Sequence, residues 1–392
     1  MKTVILKKQK DKLARNRNPW VFSGSVHSAE SGIRNGEAVR VVDADKKFVA
    51  YGFYSEHSAI TLRLFSWNED EQACQNLFTA RLQAALNARQ RLINSEQTDS
   101  FRLLYSEADG LPGYVADYYN GHIGLQVNTA SAVLYLPLIT EALKAVVKPV
   151  SIYARPAEEL NKKEKVFFKE ACIYGDAPES IIIKENGLKI SASPVSGQKT
   201  GYYFDQRDNR KTVAQYANGS DVLDCFCYTG GFSLNCAAAG AKAITSVDSS
   251  ADALKNLEHN FDLNGLQKPE TVKADVFEYL RQRNTDSRKH GLVILDPPKL
   301  AKSQSAMEQA LRAYKDINML GLKKTEKNGI FVTFSCSGRV SREDFIKSVA
   351  WAAKDAGRTL RITGFMSQAG DHPISPFFPE SEYLKGIIGV VE

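Results

Sequence analysis

VLDCFCYTGGFS, residues 222–233, shows how the C-terminal half of this chain folds: a short apolar run reaches Asp224, and Gly230 and Gly231 follow it. The pattern predicts a strand, a turn that approaches a ligand closely, and a helix over Leu234–Ala239, because glycine lets the backbone come near a ligand beside helix N–H groups. The spacing is not G-x-G-x-x-G, which disfavours a nicotinamide dehydrogenase.

Four more apolar runs, at 243–248, 271–275, 292–296 and 330–334, alternate with segments whose residue pattern is typical of helices. This alternation predicts a doubly wound, parallel sheet, which binds ligands outside the carboxyl ends of its strands. Four of the five runs end in an acid, at Asp224, Asp248, Asp275 and Asp296. We expect a nucleoside-like ligand, with Asp248 at the ribose hydroxyls and Asp275 at the base. The alternative for each acid is a helix N-cap.

The segment LDPPK, residues 295–299, predicts a strand that stops abruptly and presents Asp296 at the edge of the sheet, because proline fixes φ and removes a backbone donor. Cys336 follows the fifth run, between two serines. A thiolate there is suited to attack C6 of a pyrimidine, which makes C5 nucleophilic enough to accept a methyl group. The alternative is a buried core thiol.

The N-terminal part of the chain differs in composition: it begins with a basic segment and continues with short runs typical of strands. The first 20 residues hold seven Lys or Arg against one acid, and β-branched and aromatic runs follow at 38–42, 48–54 and 60–65. These runs predict a small β-domain, and its basic charge suits RNA, although a solvated surface is the plainer interpretation. A linking helix is predicted over 72–94. Residues 101–185 have a pattern typical of an α/β segment, with a strand predicted at 123–127 and a helix over 132–147.

Composition limits the class of protein. Of 392 residues, 43% are hydrophobic and 24% charged, and the net charge of +6 permits a polyanionic partner. No long apolar run or signal-like start is present, so we expect a cytoplasmic protein without a membrane partner. The six cysteines show no C-x-x-C spacing, so we expect free thiols and no metal site.

Eight segments in order make the chain similar to the large-subunit ribosomal RNA methyltransferase I family, AdoMet-dependent RNA cytosine-C5 methyltransferases with a PUA domain. They are NPWVFSG (18–24), DGLPG (109–113), GQKTGYYFDQR (197–207), YTGGF (228–232), DPPK (296–299), YKDIN (314–318), FSCS (334–337) and DHP (371–373).

The resemblance implies an α/β chain of three domains: a PUA β-barrel (1–70), a linking helix with a small central α/β domain (71–187), and a Rossmann-like class I methyltransferase domain with a mostly parallel twisted sheet (188–392). It implies S-adenosylmethionine as cofactor, contacted from the segment 197–210 and elsewhere. The expected cofactor contacts are Tyr203, Asp205, Gln206, Arg210, Phe226, Tyr228, Thr229, Gly230, Asp248, Asp275 and Asp296. The expected RNA contacts are Lys7, Lys8, Arg15, Trp20 and Lys299.

The implied activity is methylation of C5 of a cytidine in large-subunit (23S) ribosomal RNA. Cys336 and Asp296 are the expected catalytic residues, Cys336 through a covalent bond to C6 and Asp296 by stabilising charge at N3 and the exocyclic amine. His372 and Glu380 are candidates for the base that removes the C5 proton. Open alternatives are a uridine-C5 methyltransferase, a non-catalytic RNA-binding assembly factor, and a methyltransferase of amines or proteins. A homodimer also stays open.

Overall fold

The computed structural model describes residues 1–195, 201–283, 286–301 and 307–392. The chain divides into two compact units. The first unit comprises Met1–Ile183, Ala192–Phe204 and Gly370–Ser381, and the second comprises Lys184–Ser191, Asp205–Ala369 and Glu382–Glu392. The first four residues of the predicted cofactor segment, Gly197–Thr200, lie outside the described residues. In the part of the chain that is described, no helix is both long and apolar enough to cross a membrane.

The first unit begins with a six-stranded sheet of order β2-β6-β5-β4-β1-β3, in which β1 and β4 run parallel and the other neighbours antiparallel. Its core is built from alternate apolar residues such as Val39, Val41, Leu62 and Leu64. The predicted runs at 38–42, 48–54 and 60–65 are confirmed as strands. The strands are β1 (Thr3–Leu6), β2 (Trp20–Phe22), β3 (Val26–Ala29), β4 (Ala38–Val42), β5 (Phe48–Tyr54) and β6 (Ile60–Ser66); helix α1 is Lys12–Arg15.

A five-stranded sheet of order β11-β10-β9-β8-β7 completes the first unit. Phe53 and Phe65, whose rings stack at 4.5 Å, belong to the same buried cluster as Leu125 of β9, so the two sheets share one core. The helices are α2 (Gln75–Leu92), α3 (Ala130–Leu134), α4 (Leu136–Val146) and α5 (Leu160–Glu164). The strands are β7 (Ser100–Tyr105), β8 (Tyr114–Tyr119), β9 (His122–Val127), β10 (Ser151–Pro156) and β11 (Ala171–Tyr174).

The predicted linking helix and the strand at 123–127 are confirmed. The single helical segment predicted over 132–147 is instead two helices, α3 and α4. The chain breaks at Tyr135, which has a non-helical backbone, because Pro137 lies in the first turn of α4. Proline has no N–H to donate and is well placed at the start of a helix rather than inside one.

The DGLPG (109–113) and DHP (371–373) segments are joined within the first unit by a buried arginine. Arg89 is buried, and its guanidinium donates to both carboxylate oxygens of Asp109 at 2.7 Å and to the Asp371 carbonyl at 2.9 Å. The Asp371 carboxylate accepts the Arg102 backbone N–H at 2.8 Å. A buried charge must be paired to be tolerated, and this fork supplies the pairing. The DGLPG and DHP segments therefore have structural roles in this unit.

The second unit contains a seven-stranded sheet of order β16-β15-β14-β17-β18-β20-β19, in which, within the described residues, β20 is the antiparallel strand. The strands are β14 (Asp221–Cys225), β15 (Ala243–Asp248), β16 (Glu270–Lys273), β17 (His290–Leu295), β18 (Thr325–Ser335), β19 (Leu360–Ser367) and β20 (Lys385–Val391). The helices are α6 (Arg207–Ala214), α7 (Gly231–Ala238), α8 (Ala251–Leu263), α9 (Val276–Gln282), α10 (Met307–Lys324) and α11 (Arg342–Ala356). Strands β12 (Ile181–Glu185) and β13 (Leu188–Ala192) form a separate two-stranded sheet.

The predicted parallel sheet is confirmed, and its strand order fixes where a ligand belongs. The order runs outward from the neighbouring strands β14 and β17 in opposite directions, so the crevice between their carboxyl ends is the topological switch point. Two boundaries differ: β16 ends at Lys273 and β17 at Leu295, so Asp275 and Asp296 follow their strands instead of ending them. The predicted helix at 234–239 begins three residues earlier, at Gly231.

Candidate active site

The loop after β14 has an unusual backbone. Phe226 and Tyr228 have φ values of +64° and +50°, a left-handed region that side chains other than glycine rarely occupy, and Gly230 has φ +80°. The Phe226 and Cys227 N–H groups both donate to the Val247 carbonyl, at 2.9 and 3.1 Å. Such conformations persist where the surroundings impose them and cluster at ligand sites. The Phe226–Gly230 loop is therefore held in a fixed shape at the switch point.

Asp248, at the end of β15, ties this loop to the neighbouring strand. One carboxylate oxygen accepts the Tyr228 N–H and the other accepts the Ser250 N–H, each at 2.9 Å. Its side chain stays partly exposed. A carboxylate accepts about four hydrogen bonds, so Asp248 retains acceptor capacity for a ligand's hydroxyl groups.

Gly230, which ends the loop, and Gly231, the first residue of α7, are needed because neighbouring helices approach closely. A Cβ on Gly230 would lie 2.4 Å from Leu257 Cγ of α8, and a Cβ on Gly231 would lie 2.5 Å from Arg210 Nε of α6. The Thr229 carbonyl accepts the Asn260 side-chain amide at 3.0 Å, a second link to α8. Packing from both helices thus fixes the loop that the sequence analysis assigned to the cofactor.

Asp224 is fully buried at the end of β14. Its Oδ2 accepts the Ser233 N–H at 3.1 Å and the Ser233 hydroxyl at 2.6 Å, while its Oδ1 has no partner among the described residues. Burial raises the pKa of Asp224 to about 7, with a smaller contribution from Asp248. An unpartnered carboxylate oxygen in the interior is costly unless a ligand satisfies it.

Asp296 follows β17 on the other side of the switch point. Its Oδ1 accepts the Gln206 side-chain amide at 3.0 Å. Burial raises the pKa of Asp296 to about 7, and the nearby carboxylates of Asp205 and Asp224 add to this, against the opposing charge of Arg210. A substantial fraction of Asp296 is therefore protonated near neutral pH, so it can donate as well as accept a hydrogen bond.

Residues around α6 support this carboxylate. Asp205 accepts the Tyr383 hydroxyl at 2.5 Å, and the Gln206 side-chain oxygen accepts the Asn209 amide at 2.6 Å. Arg210 donates to Glu185 at 2.7 Å in a fully buried pair. Gln206 thus contacts Asp296 directly, and the charges of Asp205 and Arg210 act on Asp296, so all three lie near the switch point; their role as cofactor contacts stays a prediction. The structure also adds Tyr383, Asn209 and Glu185, which carry no recognisable motif.

Cys336 lies directly after β18 and is partly exposed. Its Sγ lies 3.7 Å from the Pro297 carbonyl oxygen, in the turn that carries Asp296. The other cysteines of the second unit, Cys225, Cys227 and Cys236, are buried, and burial raises their thiol pKa values strongly. Since the thiolate is the nucleophile, Cys336 is the cysteine of this unit suited to attack a substrate.

A buried hydroxyl network supports the Cys336 loop. The Ser335 hydroxyl donates to the Tyr314 hydroxyl at 2.9 Å, and the Tyr314 and Ser337 hydroxyls lie 3.1 Å apart. The Ser337 hydroxyl also accepts the Ala301 N–H at 3.2 Å. The loop is therefore anchored on both sides of the thiol by groups that are fully buried.

The remaining predicted residues of the site divide between the two units. Asp275 is exposed and caps α9, accepting the Glu278 N–H at 3.0 Å, and Tyr203 belongs to the first unit. The base candidates His372, which is buried, and Glu380, which is exposed, also belong to the first unit.

The predicted RNA contacts divide between the units. Lys7, Lys8, Arg15 and Trp20 lie in the first unit, and Lys299 is an exposed residue of the second. Arg15 is paired with Asp11 and Asp43, and the Trp20 indole N–H donates to Glu107 at 2.9 Å.

The fold and site define the class of protein. A family model described as an S-adenosylmethionine-dependent methyltransferase matches residues 151–320, and one described as a PUA-like domain matches residues 4–67. The chain is thus a class I, S-adenosylmethionine-dependent methyltransferase with an N-terminal PUA-like domain. The predicted fold class and cofactor are confirmed.

Curated relatives match almost the whole chain. Ribosomal RNA large subunit methyltransferase I of Alteromonas mediterranea is 39% identical over 387 residues, and that of Tolumonas auensis is 41% identical over 390 residues, in each case 98% of both chains. The crystal structure of SMU.776, a methyltransferase complexed with SAH, covers 100% of both chains with a TM-score of 0.86 at 21% identity, which shows a shared fold. The chain belongs to the ribosomal RNA large subunit methyltransferase I family.

Proposed function

We propose that this chain methylates C5 of a cytidine in large-subunit ribosomal RNA, through a transient bond between Cys336 Sγ and C6 of the base. The names of the relatives support the ribosomal substrate. One observation carries the covalent step: Cys336 is partly exposed at the carboxyl edge of the sheet, in contact with the turn that holds Asp296. A methyltransferase of amines would have no use for a thiol in that position.

The described residues fit S-adenosylmethionine. Asp224 has an unpartnered buried oxygen, and Gly230 and Gly231 leave no room for a side chain. We assign the ribose hydroxyls to Asp248 and the base to Asp275. The other contacts of the cofactor are assigned to Tyr203, Asp205, Gln206, Arg210, Asp296 and the Phe226–Gly230 loop. When bound, S-adenosylmethionine supplies a methyl group on a positively charged sulfur, open to attack by a carbon nucleophile.

Cys336 and Asp296 activate the base in this scheme. The thiolate electron pair of Cys336 forms the S–C6 bond, and the C5=C6 π electrons become available at C5 for bond formation with the methyl carbon. The S–CH3 bond of the cofactor would break in that step, and its electron pair would return to sulfur, leaving the neutral thioether. Protonated Asp296 donates to N3 and offsets the charge that develops on the ring. A base then removes the C5 proton, and the C5–H electrons restore the double bond and expel Cys336 as thiolate. The net exchange is a methyl group for a proton.

The three-domain boundaries, after residues 70 and 187, are part of the proposal, with residues 1–70 as the RNA-binding domain. Among the proposed RNA contacts, Lys8 and Lys299 are exposed, whereas Arg15 already holds two carboxylates. Lysines near a polyanion act mainly through phosphate charge, so their removal should lower affinity uniformly and reduce the salt dependence of binding.

The test uses unmodified large-subunit rRNA, labelled S-adenosylmethionine and three proteins: wild type, Cys336→Ala and Cys172→Ala. Cys172 is an exposed cysteine of the first unit and serves as the matched control. We expect Cys336→Ala to lose at least about 1,000-fold in methylation with cofactor affinity unchanged, and Cys172→Ala to match wild type. Mass spectrometry of the nucleosides should show 5-methylcytidine; 5-methyluridine would contradict the assignment of the base.

Trapping gives a second measurement. In 5-fluorocytidine, C5 carries fluorine in place of the proton that the base must remove, and fluorine cannot leave as a cation. The adduct with such RNA should therefore persist as a protein–RNA band under denaturing conditions. The band should form with wild type and be absent with Cys336→Ala. Full methylation by Cys336→Ala, or a band that survives that substitution, would rule out this covalent step.

A further inference from the structure

Lys385 is a buried lysine for which the scheme above has no role. It is the first residue of β20 and pairs with Ser335, the last residue of β18, across the antiparallel ladder. Its Nζ donates to the Ser337 carbonyl at 3.0 Å, and the residue is 4% exposed. Lys385 therefore contacts the loop immediately before and after Cys336.

Within the described residues, the titratable groups that act on Lys385 are Glu382, Arg342 and Cys336. Glu382 lies close but is paired with Arg342 at 2.8 Å, so its charge is partly neutralised. Tyr314 stands behind the loop, and burial raises its pKa to about 12, so it is neutral at ordinary pH. Burial lowers the pKa of Lys385 and the nearby Arg342 guanidinium lowers it further, while Glu382 and Cys336 act to raise it. An ammonium group removed from water needs an anion nearby, and a thiolate at Cys336 would supply one.

We propose that Lys385 is the positioning residue of Cys336: its ammonium group holds the Ser335–Ser337 loop through the Ser337 carbonyl and stabilises the thiolate electrostatically. A cation beside a cysteine favours the thiolate, which is the reactive form. The inference rests on the proposed role of Cys336 as nucleophile. The thiol can be titrated without RNA or cofactor, however, so the two can be tested separately.

A purely structural role predicts something different. If Lys385 serves as a hydrogen-bond donor that joins β20 to the loop, its loss destabilises the fold and leaves the titration of the thiol unchanged. Lys385→Gln separates the two roles, because an amide can still donate to a carbonyl but carries no charge. Lys385→Arg keeps the charge, and Lys385→Met removes both charge and donor.

The experiment measures the rate of Cys336 alkylation by iodoacetamide between pH 5.5 and 10, with the site read by peptide mass spectrometry. The control is Lys324→Met, which removes another buried lysine of the same unit, one that is paired with Asp286. We expect Lys385→Gln and Lys385→Met to raise the midpoint by about one pH unit, a roughly tenfold slower reaction at pH 7. Lys385→Arg and Lys324→Met should retain the wild-type midpoint.

An unchanged midpoint in folded Lys385→Gln overturns the inference, and so does an equal shift in Lys324→Met. If Lys385→Met fails to fold, Lys385→Gln and Lys385→Arg still decide between the charge and the hydrogen bond. An unchanged midpoint together with an inactive Cys336→Ala rejects the role of Lys385 and keeps the proposed function. A raised midpoint together with an active Cys336→Ala supports the role of Lys385 and rejects the covalent step.

Discussion

The Phe226–Gly230 loop and the Ser335–Ser337 loop both follow parallel strands of the same sheet, yet they are stabilised in different ways. The first is fixed by backbone: left-handed residues, N–H groups bonded to β15, and glycines against two helices. The second is fixed by side chains, through the Tyr314 hydroxyl and the Lys385 ammonium. In the proposed function, the first loop surrounds the cofactor and needs a fixed shape, whereas the second presents the thiol and needs an environment that favours the thiolate.

The largest fall in the free energy of unfolding is expected in the Phe226–Gly230 loop, which is fixed by its backbone. In Gly230→Ala the new Cβ meets Leu257 at 2.4 Å with φ at +80°. We expect the free energy of unfolding to fall by about 3 kcal/mol, from overpacking and left-handed strain together. Cofactor affinity should fall at least tenfold, because the loop must move. Urea unfolding and titration calorimetry measure the two effects.

Gly219→Ala is the matched control. Gly219 also has a left-handed backbone, with φ +71°, but nothing lies within 4 Å of its Cβ position. We expect a loss of about 1 kcal/mol from strain and an unchanged cofactor affinity. Equal losses of affinity in the two variants would show that the close approach of α8 does not shape the cofactor site.

The sequence reveals the first loop better than the second because the signals of the first are local. Adjacent glycines and acids after apolar runs are visible within a few residues of each other. Tyr314 and Lys385 are 21 and 48 residues from the serines they contact. Lys385 reaches the loop because β20 pairs with β18, and Tyr314 reaches it from α10, the helix between β17 and β18, and no local pattern encodes either contact. The cysteine could be predicted, but the groups that support it could not.

A second prediction concerns the pH dependence of the free energy of unfolding. The pKa of Asp224 is about 7 in the folded state against an ordinary 3.8, so the folded state binds this proton more tightly. The stability it contributes is present below about pH 4 and is lost as the pH rises through 7. Asp224→Asn lacks this loss, so its stability relative to wild type should rise by roughly 1.4 kcal/mol for each pH unit between about pH 4 and 7 and stay level above that.

Urea unfolding of the cofactor-free protein at several pH values measures this difference. Asp252→Asn, which changes an exposed carboxylate in the first turn of α8, is the control and should run parallel to wild type. Parallel curves for Asp224→Asn as well would mean that Asp224 is ionised without cost. The strand that leads into the Phe226–Gly230 loop would then not end in a buried carboxylate that is costly without a ligand.

A third prediction tests the side-chain loop. Tyr314→Phe removes the hydroxyl between Ser335 and Ser337 and leaves both serines short of a buried partner. We expect a loss of about 1.5 kcal/mol in the free energy of unfolding. Methylation should slow about tenfold with cofactor affinity unchanged, because the loop that holds Cys336 loosens. Tyr216→Phe, at a residue that is 40% exposed, should alter neither property; a parallel loss of cofactor affinity in Tyr314→Phe would join the two loops into one unit.

The smallest effect separates the two interpretations of Asp275. Its Oδ1 accepts the Glu278 N–H as the N-cap of α9, and the residue is exposed. Asp275→Asn keeps the cap, so the free energy of unfolding should change by less than about 0.5 kcal/mol. It also replaces an acceptor with an amide donor, which would face the exocyclic amine of adenine. We expect cofactor affinity to fall about fivefold, roughly 1 kcal/mol.

Asp275→Ala and Ser341→Ala complete that measurement, because Ser341 caps α11 in the same way. Both should lose about 1 kcal/mol of stability from the missing cap, and Asp275→Ala should also bind the cofactor less tightly. If Asp275→Asn and Asp275→Ala both bind the cofactor like wild type, Asp275 is a capping residue and nothing more. The cofactor contacts that follow strands would then be limited to acids such as Asp248, whose carboxylate directly holds the Phe226–Gly230 loop.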